Sequence, residues 1–163
     1  MCIRKSISGL ILVTSLSTHA LAEVSGPVEV VAKLYREYAW EAVIDSPDWD
    51  GHRLLEQPRA VLERYFEARL AGLIVREREC AIRTREICAL DFSPIWAAQD
   101  PGATAMKISP GASPSVVDVH FRYPGDGTKI RLSYRMIRTP AGWRIADIVH
   151  PDWTLLSALS RLR

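Results

Sequence analysis

Hydrophobic positions along this chain keep a three-and-four-residue rhythm in the first half and a two-residue rhythm in the last third. Gly26-Pro27 opens the first stretch, and Val28, Val31, Ala32, Tyr35, Tyr38, Ala39 and Ala42 then fall on one helical face. A turn-rich connector, residues 45–51, separates it from a second helix begun by Gln57-Pro58, with Pro in its favoured first-turn position. The face of that helix to be buried reads Leu62, Tyr65, Phe66, Leu70, Leu73 and Ile74. Residues 76–86 alternate in charge, with Glu79 and Arg83 at supportive four-residue spacing, which describes a solvated helical surface.

From Asp91 the pattern changes. Prolines at 94, 101, 110 and 114 mark an irregular passage, after which residues 115–122 alternate Val117, Val119 and Phe121 against Asp118, His120 and Arg122. Residues 129–138 alternate Ile130, Leu132, Tyr134 and Met136 against polar neighbours, and residues 143–149 supply a third strand of a meander. Gly125-Asp126-Gly127-Thr128 and Thr139-Pro140-Ala141-Gly142 have the chemistry of the two connecting turns. Pro151 ends the last strand, and residues 154–162 form a short closing helix. Helices first and strands afterwards predict an α+β fold in which N-terminal helices pack on one face of an antiparallel sheet.

The first 22 residues read as a secretory leader. Arg4 and Lys5 are its positive start, residues 7–16 its apolar stretch, and His19-Ala20-Leu21-Ala22 its cleavage pattern. The apolar stretch is shorter than the roughly 20 residues that span a bilayer. Cys2 lacks the surroundings of a lipidation site, so no membrane anchor is expected after cleavage. Residues 23–163 then form a single exported domain, expected in a bacterial periplasm. Lys and Arg number 21 against 19 Asp and Glu, and loss of Arg4 and Lys5 brings the balance to zero. A neutral chain has no electrostatic reason to bind nucleic acid.

Removal of Cys2 leaves Cys80 and Cys88 as a pair in an oxidising compartment. Continuous helix would hold their Cα atoms about 12 Å apart, beyond the roughly 7 Å that a disulfide bridges. Either the helix ends between them or they stay unpaired; the bridge is the expectation.

Asp91-Phe92-Ser93-Pro94-Ile95-Trp96-Ala97-Ala98-Gln99-Asp100 resembles a stretch of an uncharacterised exported bacterial family, domain of unknown function 3828. Gly142-Trp143-Arg144-Ile145-Ala146-Asp147-Ile148 is similar to the last strand of the wider nuclear transport factor two-like superfamily. The resemblance implies a cone, with a curved sheet wrapped over helices and an apolar pocket between them. That superfamily holds isomerases, dehydratases, transport adaptors and toxin-neutralising proteins, so the fold does not select a chemistry.

Asp91, Trp96, Gln99 and Asp100, where helix gives way to sheet, are the first candidates for a binding site; such side chains either line a cavity mouth or satisfy loop backbone. Asp147 shares a strand face with Trp143, Ile145 and Val149 under strict alternation, and is a buried carboxylate if that face is inward. Asp118 and His120 lie side by side opposite Arg131 and Arg135, an arrangement that cross-strand charge pairing on a wet face explains. Asp45, Asp48, Asp50 and His52 faintly echo a calcium loop, but alignment on Gly51 puts Gln57 where the bidentate Glu belongs, so no metal is expected. No motif calls for a cofactor, and none shows a serine or cysteine nucleophile. The expectation is a non-catalytic binding or interaction protein, with an unidentified protein or small molecule of the cell envelope as partner. It either neutralises a toxin or holds a small ligand. The alternative is an isomerase, dehydratase or hydrolase in which Asp91 or Asp147 acts as general base from an apolar pocket.

Overall fold

A computed structural model describes residues 26–43 and 53–161. The stretch expected to be a leader, residues 1–22, and the group Asp45, Asp48, Asp50 and His52 lie outside the described residues. Helix α1, Pro27–Tyr38, starts with its proline in the first turn and buries Val31, Leu34, Tyr35 and Tyr38. It tightens into a 3-10 turn, Ala39–Ala42, and a second such turn spans Leu54–Glu56.

The second helix does not run unbroken from Pro58. It divides into α2, Arg59–Leu62, and α3, Ala68–Thr84, because the residues between them are used as sheet. Ile145 N–H donates to the Tyr65 carbonyl at 2.7 Å and Glu67 N–H to the Ile145 carbonyl at 2.9 Å. Tyr65 and Phe66 thereby cover the edge of the last strand while their rings enter the core. Glu67 then restarts the helix, its carboxylate accepting from Arg69 N and Leu70 N, each at 2.9 Å.

Four strands form one antiparallel sheet in chain order: β1 Thr104–Pro110, β2 Val116–Arg122, β3 Lys129–Thr139 and β4 Gly142–Val149. β1 falls in the passage expected to be irregular. It carries prolines at or just before its ends and an irregularity between Thr104 and Lys107, with Ala105 in the left-handed region at φ 52°. Those are features of an edge strand, which spare the ladder and hide the alternation from a sequence reading. The β3–β4 turn places Gly142 at φ 101°, a conformation that side-chain-bearing residues rarely adopt.

A second irregularity changes the reading of Asp147. Arg135 is opposite Asp147 but Met136 is opposite Ile145, so Ala146 is an extra residue in β4. The phase flips there. Ile145 and Ile148 face the core with Met136 and Tyr134, whereas Asp147 stands with Arg135 on the other face and does not share the face of Ile145. It is buried all the same, at 4 % exposure, with its Oδ1 accepting from Leu156 N at 2.9 Å in the closing helix α4, Leu155–Leu159.

A single cluster joins the elements. Val117, Val119, Phe121, Leu132 and Tyr134 from the sheet meet Val31, Leu34 and Tyr35 of α1. At its centre the Tyr35 hydroxyl donates to the Ile95 carbonyl at 2.7 Å and lies 2.8 Å from the Tyr134 hydroxyl. At the far end, α3 stops at Thr84 and Arg85 turns left-handed at φ 58°. The chain folds back, Cys80 and Cys88 come to a Cα separation of 6.2 Å, and they form a disulfide. Glu77 braces this return, its Oε1 accepting from Ala89 N and Leu90 N at 3.0 Å each. Among the described residues no helix is long and apolar enough to cross a membrane.

Candidate functional site

Four of the five candidates gather where the N-terminal helix ends against the 91–100 loop. That loop closes on itself through Ser93 N–H to the Ala98 carbonyl at 2.8 Å, with Ala97 at φ 52°. The closure plants Ile95 and Trp96 in the core, where the indole meets Tyr35 and Phe121 edge-on at centroid distances of 5.2 and 6.0 Å. Asp91, Gln99 and Asp100 stay exposed on its rim. Gln99 Nε2 donates to Asp91 Oδ2 at 3.1 Å, and the Asp100 carbonyl accepts from the Tyr123 hydroxyl at 2.9 Å.

The residue that organises this place is Glu41. It is 6 % exposed, its Oε1 accepts from Leu54 N at 2.6 Å, and its Oε2 accepts from Trp96 Nε1 at 3.1 Å. One carboxylate therefore ties the end of the helix to the next 3-10 turn and to the loop. Burial raises its pKa above the ordinary carboxylate value, and the Glu56 charge adds to that. The two donated hydrogen bonds and the Arg53 charge act in the opposite direction. Glu41 sits at seven residues from Leu34 on the apolar stripe of α1, and that position is the signal a polarity-based reading passes over.

Two adjoining hollows open at Glu41. One, of about 230 Å³, is walled by Arg53, Leu55, Glu56, Asp91, Phe92 and Gln99. The other, of about 170 Å³, adds Asp100 and Pro101 and shares Arg53 and Gln99. Among the described residues, Glu41, Glu56, Asp91 and Asp100 thus face a recess with one lining cation, Arg53. Asp147 does not join them; it holds Leu156 N, with Arg135 Nη1 at 3.9 Å. Asp118 likewise serves the sheet surface, accepting from Ser133 Oγ at 2.6 Å and Arg131 Nη2 at 3.2 Å. Among the described residues no group of three His, Cys, Asp or Glu is placed to hold a metal ion.

Fold and site together define an α+β protein with an acidic recess at the junction of its helices and sheet. No family model matches the chain, and no curated protein matches it. A protein of unknown function from Bacteroides thetaiotaomicron is similar in structure at a TM-score of 0.42 and 16% identity, over 76% of this chain and 88% of that one.

Proposed function

We propose that this chain is an exported, non-catalytic binding protein of the cell envelope, related to the nuclear transport factor two-like proteins, and that the recess over Glu41 holds a small cationic ligand. The observation that carries the reading is the state of the carboxylates. Both Glu41 oxygens already accept N–H donors from the chain, Asp91 is exposed and fixed by Gln99, and Asp147 is tied to a backbone amide. A general base needs a free, desolvated oxygen aimed at substrate, and neither Asp91 nor Asp147 offers one. Fixed carboxylates around a small hollow instead form a preorganised cradle for an ammonium group, which needs acceptors and negative potential. The Cys80–Cys88 disulfide supports an oxidising compartment, and the resemblance of the 91–100 loop supports the exported family.

The Trp96 indole N–H reports on the recess because it is bonded to Glu41. In a nitrogen–proton correlation spectrum, titration with small aliphatic amines such as cadaverine and spermidine is expected to shift the Trp96 indole and Gln99 side-chain signals. Asp91→Asn with Asp100→Asn should weaken the affinity about thirtyfold or more, each lost charge-assisted contact being worth about 1 kcal/mol or more. Unmoved Trp96 and Gln99 signals at millimolar amine would remove the proposal.

A further inference from the structure

The largest concavity among the described pockets lies elsewhere, between the outward face of α1 and the β3–β4 hairpin, and measures about 630 Å³. Its charge is opposite to that of the recess. Lys33 and Arg36 come from α1, Arg64 from the turn after α2, and Arg138 and Arg144 from the two sides of the hairpin. Among the described residues Glu29 is the lone carboxylate on the lining. Behind it, Glu37 lies 3.7 Å from Lys33 and 3.6 Å from Arg64 and accepts from the Tyr65 hydroxyl, so one carboxylate is divided among three donors. Five cations thus face two carboxylates, an excess that a dianion matches better than a monoanion.

The guanidinium groups are also prepared. Arg144 is held by neutral acceptors, its Nε donating to the Glu63 carbonyl at 2.7 Å and its Nη1 to the Trp143 carbonyl at 2.8 Å, which fixes the fork without cancelling its charge. Arg138 rests over the Trp143 ring, 5.8 Å from its centroid. Arg36 is exposed and enters no ion pair among the described residues. Val30, Pro140, Ala141 and Trp143 supply apolar wall beside these charges. A free inorganic ion would leave most of this volume empty, and a purely apolar ligand would strand the arginines.

We propose that this cleft is a second binding site, which takes a phosphate group carried on an apolar body, with Arg36, Arg138 and Arg144 on the phosphate oxygens and Trp143 against the body. Guanidinium forks fit phosphate oxygens two at a time. In an envelope such a group is either a soluble phosphomonoester or the phosphomonoester headgroup of a lipid such as phosphatidic acid, and the two sources share a terminal phosphate that can ionise twice.

The test uses the complete oxidised protein. Phenyl phosphate is titrated while the Trp143 indole and Arg144 Nε signals are followed, with benzoate as the carboxylate comparison. Phenyl phosphate is expected to shift both signals and to bind more tightly than benzoate, with affinity falling as salt rises. Arg36→Ala with Arg138→Ala should weaken binding about tenfold or more, these side chains making no hydrogen bond the fold needs. Arg131→Ala, on the sheet surface beside Asp118, should leave it unchanged. Co-sedimentation with phosphatidic acid vesicles, against phosphatidylcholine vesicles, separates the sources: capture by the former alone identifies a lipid headgroup, and binding of phenyl phosphate without vesicle capture a soluble ligand. Benzoate binding as tightly, equal loss in Arg131→Ala, or no response to either phosphate form would overturn the assignment. None of these readouts involves Trp96 or Gln99, so the fate of the acidic recess is read independently.

Discussion

At the scale of residues, Glu41 is the side chain whose surroundings most determine its behaviour. Its folded pKa is raised, chiefly by burial, above the ordinary carboxylate value of 4.5. The folded state then binds more protons than the unfolded chain in the window above 4.5, and stability falls with rising pH there. Glu41 contributes its full stabilisation below its unfolded pKa and loses it as pH passes the folded one. Glu41→Gln does not titrate, so the difference in unfolding free energy, wild type minus variant, is expected to be larger at pH 4.5 than at pH 7. Urea denaturation of both proteins at the two pH values measures it, and an equal difference would show that burial does not govern this carboxylate. The exposed candidates Asp91, Gln99 and Asp100 were legible because loop polar residues beside aromatics advertise themselves. Glu41 was not, because a single Glu between Trp40 and Ala42 reads as helix surface until the stripe through Leu34 and Tyr38 is followed to its end.

At the scale of elements, the bulge at Ala146 links a strand to the helix that follows it. By flipping Asp147 to the outer face, it puts a carboxylate where the start of α4 needs an acceptor, next to the Thr154 cap whose side chain accepts from Ser157 N at 3.1 Å. Asp147→Ala is expected to destabilise the protein by about 1–3 kcal/mol, since Leu156 N is left without its partner. Asp147→Asn keeps an acceptor oxygen and should cost less. Urea midpoints rank the three proteins, and hydrogen exchange at Leu156 should quicken in the alanine variant before the rest of the sheet responds. β2 and β3 could be read from alternation because each has a buried face and a more open one, whereas β4 has no exposed face and its alternation breaks at Ala146. β1 could not: Pro110 ends it, its residues are largely exposed, and the short alternation of Met106 and Ile108 with Lys107 and Ser109 is cut by the irregularity after Thr104. The break between α2 and α3 was hidden for a different reason. Tyr65 and Phe66 are buried in either conformation, so burial periodicity does not distinguish a helical turn from a short extended segment at that place.

At the scale of the whole molecule, two concavities of opposite charge are built from different elements. The acidic one lies between the end of α1 and the 91–100 loop, and the basic one between the side of α1 and the hairpin. A chain whose formal net charge is only +2 therefore carries its charge in separate patches, which net charge conceals. Composition excluded a strongly basic protein and was silent about this division, since Lys33, Arg64 and Arg144 are far apart in sequence. Export and oxidation are checked together on the intact protein. From the envelope fraction its mass is expected to begin at Glu23 and to rise by about 2 Da on reduction, the two hydrogens of one opened disulfide. A chain that still begins at Met1, or that shows no such rise, would contradict the leader or the oxidised state.

The pairing of Tyr65 and Glu67 with Ile145 makes the sheet asymmetric towards other chains. On the β4 border both backbone groups of Ile145 are taken by the protein's own chain, whereas β1 has no such cover among the described residues. Asp147 and Leu156 at one end of β4 and Tyr65 to Glu67 at its middle therefore leave β1 as the more accessible edge of the sheet among the described residues.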